Sequence, residues 1–433
     1  MPYQQKTMCS VRRIPNVMSL IFLVFTGFLV LTSAVLGDSW ITKADMLNPM
    51  SSLLTITVNG KIYAIGEEGG QAPAVINGVE QQFRFSEMEE YDPIQNIWTE
   101  KAKIPTERLN SSISVVNGKI YVIGGYDDNG LVSGVDEYDP ATDIWTKKAD
   151  MLTPRRGLST CVVNGKIYAI GGEKLSGSAL STLEEYNPVT DKWTQKADML
   201  ASGSGLSTCV VNGKIYVIGM AEIQPVGGAG RARTAEEYNP DNDTWTQKAD
   251  MPTPVNNSFV AVIDGKIYVV GGSMNWAGGG AGQAGNTQTV MQYDPTTDTW
   301  TQKADIPKQQ NNSSIAAVGG KIYVIGGSED RAAGGGVGQM GNIQTVEQYD
   351  PATDTWTQKT DMPTQRSNPF VAVANGKIYV IGGLGMQQAG AAGVGQMAFL
   401  LMVEEYTPDG WSSFAVSPAG KLITKWGAIK IQK

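Results

Sequence analysis

The chain has 433 residues, 51 of them glycine and 41% apolar, with three cysteines, no histidine and a formal charge of −8. Without imidazole, Ser–His and Cys–His nucleophile pairs and most zinc, copper and non-haem iron sites cannot be built in their usual form. An acidic chain also repels phosphate backbones, so neither nucleic acid nor a nucleotide is an expected partner.

Residues 1–37 read as a targeting segment: Arg12 and Arg13 precede an apolar run from Val17 to Leu36, and Val35-Leu36-Gly37 offers small residues for cleavage. The run is also long enough to span a bilayer, so residues 17–36 are either a cleaved export signal or an uncleaved membrane anchor. Either way the remainder is expected outside the cytoplasm, secreted or at the cell surface. Without Lys6, Arg12 and Arg13 it carries 31 basic against 42 acidic residues, hence −11.

From residue 38 to 411 one unit recurs. GKIY occurs seven times, with its glycine at Gly60, Gly118, Gly165, Gly213, Gly265, Gly320 and Gly376, in steps of 58, 47, 48, 52, 55 and 56 residues. A fixed period decides the architecture before any local reading. In each copy a β-branched run (A) meets an Asn-Gly-like turn, whose residues suit the positive φ of a tight hairpin. Strand B follows, K-I-Y-V-I-G-G, then a variable loop and a strand C ending in Tyr. Asp/Asn-Pro next makes a type I turn into strand D, W-T-x-K-A-D. Strand B is apolar on both faces, with Ile120 and Val122 on one and Tyr121 and Ile123 on the other. Sheets must therefore stack on both sides of it, and seven such sheets close into a ring.

The double glycine after strand B, the Tyr in C and the Trp in D resemble kelch repeats, and the chain is similar to secreted, bacterial-type kelch proteins. That resemblance implies an all-β, seven-bladed propeller with four antiparallel strands per blade, binding a partner without cofactor or metal. Gly66-Glu67 and Gly219-Met220 replace the double glycine in two copies, so strand B is expected to exit differently there. Tyr-to-Trp spacing is seven residues in six copies but five in the last, Tyr406 to Trp411, where T-x-K-A-D is also missing. Trp40-Ile-Thr-Lys-Ala-Asp45 has that continuation intact, so the N-terminal segment is expected to supply the outer strand of blade 7. Residues 412–433, with four lysines from Lys421 to Lys433, read as a short tail.

Several signals imitate chemistry. Gly280–Gly285 and Gly336–Gly341 fit G-x-G-x-x-G, but each leads into a strand, not a helix. Glu-Glu pairs before Tyr91, Tyr186, Tyr238 and Tyr406 recur around the ring, which suits a solvated strand face better than a two-carboxylate catalyst. Asp127-Asp128-Asn129-Gly130 lacks calcium-loop spacing and reads as a turn. Cys161 and Cys209 share a slot that elsewhere holds Ile56, Ser114, Ala261, Ala316 and Ala372, a tight position and not a redox pair. Galactose-oxidase-like kelch enzymes use histidine on copper, which this chain lacks. Sialic-acid mutarotases of kelch type remain the enzymatic alternative to a non-enzymatic, monomeric binder of protein or glycan.

Specificity is expected at the end bearing the B–C and D–A loops. From the first Gly after strand B to the strand-C Tyr, blades 1 to 7 span 25, 14, 15, 19, 22, 23 and 24 residues, so blades 5, 6, 7 and 1 are built up. Eight residues before the Gly of GKIY stand Asn110, Asn257, Asn312 and Asn368, against Gly157 and Gly205 in blades 3 and 4. Those asparagines either cap a turn or ring the channel mouth with amides. With Arg366 and Trp276, whose indole could stack on a sugar face, they form the expected ligand site.

Overall fold

The computed structural model describes residues 37–409, apart from 69–74, 77–78, 81–84, 224–229, 254, 256–257, 275–284, 309, 331–339 and 388–395. Residues 1–36, on which the expected targeting segment falls, residues 410–433 and the centres of the longer B–C loops therefore lie outside the described residues.

Blade 1 consists of strand A (Met50–Val58), B (Lys61–Glu68), C (Phe85–Asp92) and D (Ile97–Glu100), hydrogen-bonded in that order. Blades 2 to 6 repeat the meander over 112–148, 159–195, 207–247, 259–302 and 314–358. The A–B turns take the left-handed backbone at both central residues, as in Asn59 (φ 50°) and Gly60 (φ 80°). Where the double glycine is present it ends strand B, with Gly124 and Gly125 at φ 65° and 102°. In blades 1 and 4, which lack it, the ladder instead runs on through Gly66↔Glu87 and Gly219↔Thr234. That difference was legible in the two departures from the motif.

Blade 7 closes as the tyrosine–tryptophan spacing requires. Its strands A (Phe370–Ala374), B (Lys377–Ile381) and C (Val403–Thr407) are completed by Ser39–Thr42, which pairs antiparallel with strand C in the register Trp40↔Tyr406.

Apolar clusters fill each blade boundary. Ile120 and Val122 pack towards blade 1, while Tyr121 and Ile123 pack towards blade 3. Two polar rings stitch the boundaries outside these clusters. Each strand-D indole donates to a carbonyl left behind by the preceding blade: Trp98 to Ala44, Trp145 to Ala102, and so on round to Trp40 to Thr360 at 2.8 Å. Each C–D turn carboxylate or amide accepts from that blade's tyrosine and from a backbone N–H of the segment leaving the preceding blade. Asp143 takes Tyr138 Oη at 2.6 Å and Ala102 N at 3.0 Å. In blade 7 this acceptor is Asp38, which takes Tyr406 Oη and Thr360 N. Residues 38–42 thus complete both rings and the sheet.

Candidate functional site

The B–C and D–A loops meet at one end of the ring. Short bridges join them within a blade, Leu109↔Tyr126, Arg156↔Glu173, Asn311↔Ser328 and Ser367↔Leu384. Above these joints the B–C loops rise as extra ladders. Lys214–Ile223 pairs with Gly230–Asn239 in blade 4, Ser328–Asp330 with Met340–Asn342 in blade 6, and Leu384–Gln387 with Gln396–Phe399 in blade 7. Gly285–Asn286 and Met340–Asn342 at the ends of the two glycine motifs are strands, and there is no helix among the described residues. The glycine motifs themselves, residues 280–284 and 336–339, lie outside the described residues, and the strands that follow them are where a nucleotide-binding loop would open a helix.

Immediately after each joint the chain takes a left-handed residue: Asn110 (φ 53°), Gly157 (62°), Gly205 (62°), Asn312 (55°) and Asn368 (46°). This explains why Asn and Gly alternate at the position in blades 2 to 7, since both tolerate φ > 0, whereas blade 1 has Ser52 there, which is not among the left-handed residues. The backbones link blade to blade: Gly157 N donates to Asn110 O, Gly205 N to Gly157 O, and Asn368 N to Asn312 O at 2.9 Å. Three of the expected site residues, Asn110, Asn312 and Asn368, thus lie on one inner ring with exposed side chains. Asn257 and Trp276 lie outside the described residues.

Arg366 does not belong to a ligand surface. It is fully buried, donates to the carbonyls of Gly382 and Met402, and faces Glu404 at 2.9 Å. Arg108 with Asp136 and Arg155 with Glu184 repeat the arrangement. The reason is local: strand C buries an acid against its own D–A loop, and the arginine neutralises it. In blades 3 and 4 loop N–H groups also cap that acid, Leu152 and Thr153 on Glu184, Leu200 and Ala201 on Glu236.

The glutamate pairs require a second correction, because they are buried and not solvated: Glu184 and Glu185 are 0% and 7% exposed. The second acid of each pair is clamped inside its blade. Glu185 accepts from Tyr168 Oη and from Lys166 Nζ, both at 2.7 Å, and Glu90, Glu137, Glu237 and Glu405 are held in the same way. What sequence reasoning missed was the clamp itself. Its signal was the Lys and Tyr of GKIY recurring with an acid one residue before the strand-C tyrosine. Asp127 Oδ1 accepts from Asn129 N, an ordinary turn contact. Cys161 and Cys209 are free and pack into different blade boundaries.

The clamps make stability pH-dependent. Burial alone would raise Glu90, Glu137, Glu185, Glu237 and Glu405, but bonds from tyrosine and lysine outweigh it and hold each below the usual carboxylate range. Tyrosine and backbone bonds likewise outweigh burial to depress Asp143, Asp191, Asp243 and Asp298. A depressed acid stabilises the fold above its unfolded pKa, about 4, and loses that contribution as pH falls through its folded value. Glu89, Asp136, Glu236 and Glu347, raised by burial, act in the opposite sense but are fewer. The melting temperature should fall steeply below about pH 4. A value that holds or rises between pH 5 and pH 3 would show that the clamps do not govern it.

At the loop end a cavity of about 250 Å³ opens on blade 2, lined among others by Asp127, Asn129, Val132, Lys147 and Asp150. Among the described residues no group of three or more His, Cys, Asp or Glu could hold a metal ion.

Comparison with known proteins agrees with this architecture. A family model described as the attractin/LZTR1 β-propeller matches residues 75–332, and the kelch motif matches residues 311–363. Kelch-like protein 35 of Mus musculus is 33% identical over 157 residues, 36% of this chain and 24% of that protein. Kelch-like protein terF of Aspergillus terreus is 31% identical over 173 residues, 38% of this chain and 36% of that protein. The alignments thus span about a quarter to a third of those relatives' length. Among solved structures, a fungal alcohol oxidase in complex with copper matches with a TM-score of 0.62 at 17% identity, covering 88% of this chain and 78% of the oxidase, a likeness of fold alone.

Proposed function

Because this chain belongs to the attractin/LZTR1 β-propeller family of kelch type, we propose that it is a non-enzymatic binding protein acting outside the cytoplasm, which engages a protein or glycan through its B–C and D–A loop end. The observation that carries this reading is the inner ring of exposed Asn110, Asn312 and Asn368, set on a hydrogen-bonded backbone at the B–C and D–A loop end. Amides on a fixed backbone lose little freedom on binding and both donate and accept, which suits a neutral polar partner. The glutamate pairs that could have served as acid and base are engaged in clamps, loop N–H bonds and ion pairs within their own blades, which supports a structural role for them.

The test starts from protein recovered from the extracytoplasmic fraction, screened against glycan and surface-protein arrays. In the best hit, the double variant Asn312→Gly/Asn368→Gly should weaken binding at least tenfold, because glycine keeps the left-handed backbone and removes only the amides. Lys192→Ala, exposed on a strand-D edge, is the control. Loss of binding in the control with none in the double variant places the partner elsewhere on the ring.

A further inference from the structure

Six of the seven blades face one problem: a buried acid on strand C, at the position opposite the fourth residue of strand B, needs a counter-charge or donors. The pairs are Val122↔Asp136, Ala169↔Glu184, Val380↔Glu404 and, in blade 6, Val324↔Glu347. Blades 1, 3 and 4 supply loop N–H groups, from Leu47 and Asn48, Leu152 and Thr153, and Leu200 and Ala201. Blades 2 and 7 place Pro105 and Pro363 where a donor would stand, and an arginine compensates, Arg108 and Arg366. Blade 5 also has proline there, Pro252, but its strand C carries Met291, so no acid needs neutralising.

Blade 6 breaks the pattern. Pro307 removes the loop N–H, and Gln310 stands where the arginines stand, yet Glu347 remains and is 2% exposed. No hydrogen bond reaches Glu347 from any described residue. Exposed Lys308 and half-buried Asp361 act on it only through space and with opposite sign. Gln310, 8% exposed, spends its amide N–H on Thr345 Oγ1 at 3.0 Å, and its Oε1 is sealed without a partner. The remaining walls are acceptors too. In the sister blades the guanidinium binds strand-B and strand-C carbonyls, those of Ala169, Gly171 and Thr182 in blade 3 and of Gly382 and Met402 in blade 7. By register their counterparts in blade 6 are Val324, Gly326 and Thr345.

We infer that blade 6 holds a monovalent cation, of sodium or potassium size, between Glu347, Gln310 Oε1 and these carbonyls, in the place where its sister blades hold a guanidinium. One carboxylate among neutral oxygens calls for one positive charge, and hard cations of this kind take oxygen ligands. Glu347 is not among the sealed polar atoms, so the place can fill from solvent.

The test compares melting in sodium, potassium, ammonium and choline chlorides at equal ionic strength. One of the small cations should raise the melting temperature by roughly 2 °C over choline, which is too large to enter. Gln310→Arg, which copies blades 2, 3 and 7, should abolish that difference without lowering stability. Glu347→Gln should abolish it as well. Crystals soaked in rubidium should show an anomalous peak beside Glu347. A wild-type protein insensitive to the cation, with Glu347→Gln at least as stable at pH 7, would mean that a proton neutralises the acid, overturning the inference. A cation response that persists in both variants would overturn it equally, because the ion would bind elsewhere.

Discussion

Deleting residues 38–47 should lower the melting temperature more than any single substitution, by roughly 5–10 °C and on the order of 5 kcal/mol. The segment supplies the outer strand of blade 7, with four paired residues from Ser39↔Thr407 to Thr42↔Glu404. It also supplies Trp40, whose ring lies 4.9 Å from that of Tyr406 and whose indole donates to Thr360 O. Asp38 completes the turn-acceptor ring, and Met46, 3% exposed, belongs to the cluster between blades 7 and 1. A large buried side chain removed from a core costs about 3–5 kcal/mol, and two interblade bonds go with it here. Differential scanning calorimetry of the truncated and full propellers decides the matter. Coincident transitions would mean that blade 7 does not need its fourth strand, and that the ring is held by the other boundaries alone.

Arg155→Ala should destabilise the protein by about 3–5 kcal/mol, although the residue looks like a surface cation in the sequence. Arg155 and Glu184 are both 0% exposed and 3.1 Å apart, and the guanidinium also serves the carbonyls of Gly171, Ala169 and Thr182. Removing it leaves an uncompensated buried carboxylate and three carbonyls without that donor. Glu184 still has the N–H groups of Leu152 and Thr153, so the loss should be smaller than for Arg366→Ala, whose acid has only the Thr364 hydroxyl besides. Urea titrations of the two variants measure both the size and the order. Unchanged midpoints would mean that water replaces the arginine at no cost. The reversed order would mean that the loop N–H groups do not share the charge.

Much of the fold was legible because the repeat writes it seven times. The Asn-Gly turns, the doubly apolar strand B and the surplus tryptophan each specify a local geometry, and only a closed ring satisfies all three. The candidate site was legible in part. Asn110, Asn312 and Asn368 could be placed at the loop end by counting from GKIY. Yet the count could not say that the position demands positive φ, which is why Gly157 and Gly205 share it. Arg366, five residues past the preceding blade's Lys359-Thr360-Asp361, looked like a rim cation for the same reason.

By itself the sequence determined the blade number, the strand order, the closing strand and the exclusion of histidine chemistry, because these follow from period, pattern and composition. Tertiary structure alone decided which polar groups are spent on the fold. A glutamate before Tyr186 reads the same whether it faces water or Lys166 and Tyr168, and only the packing of one blade on the next removes the water. Among the described residues the same packing exposes blade 6 as the blade where a retained acid lost its partner, since Gln310 and Glu347 are 37 residues apart in sequence and only the alignment of the blades puts them at the positions of an arginine and its acid.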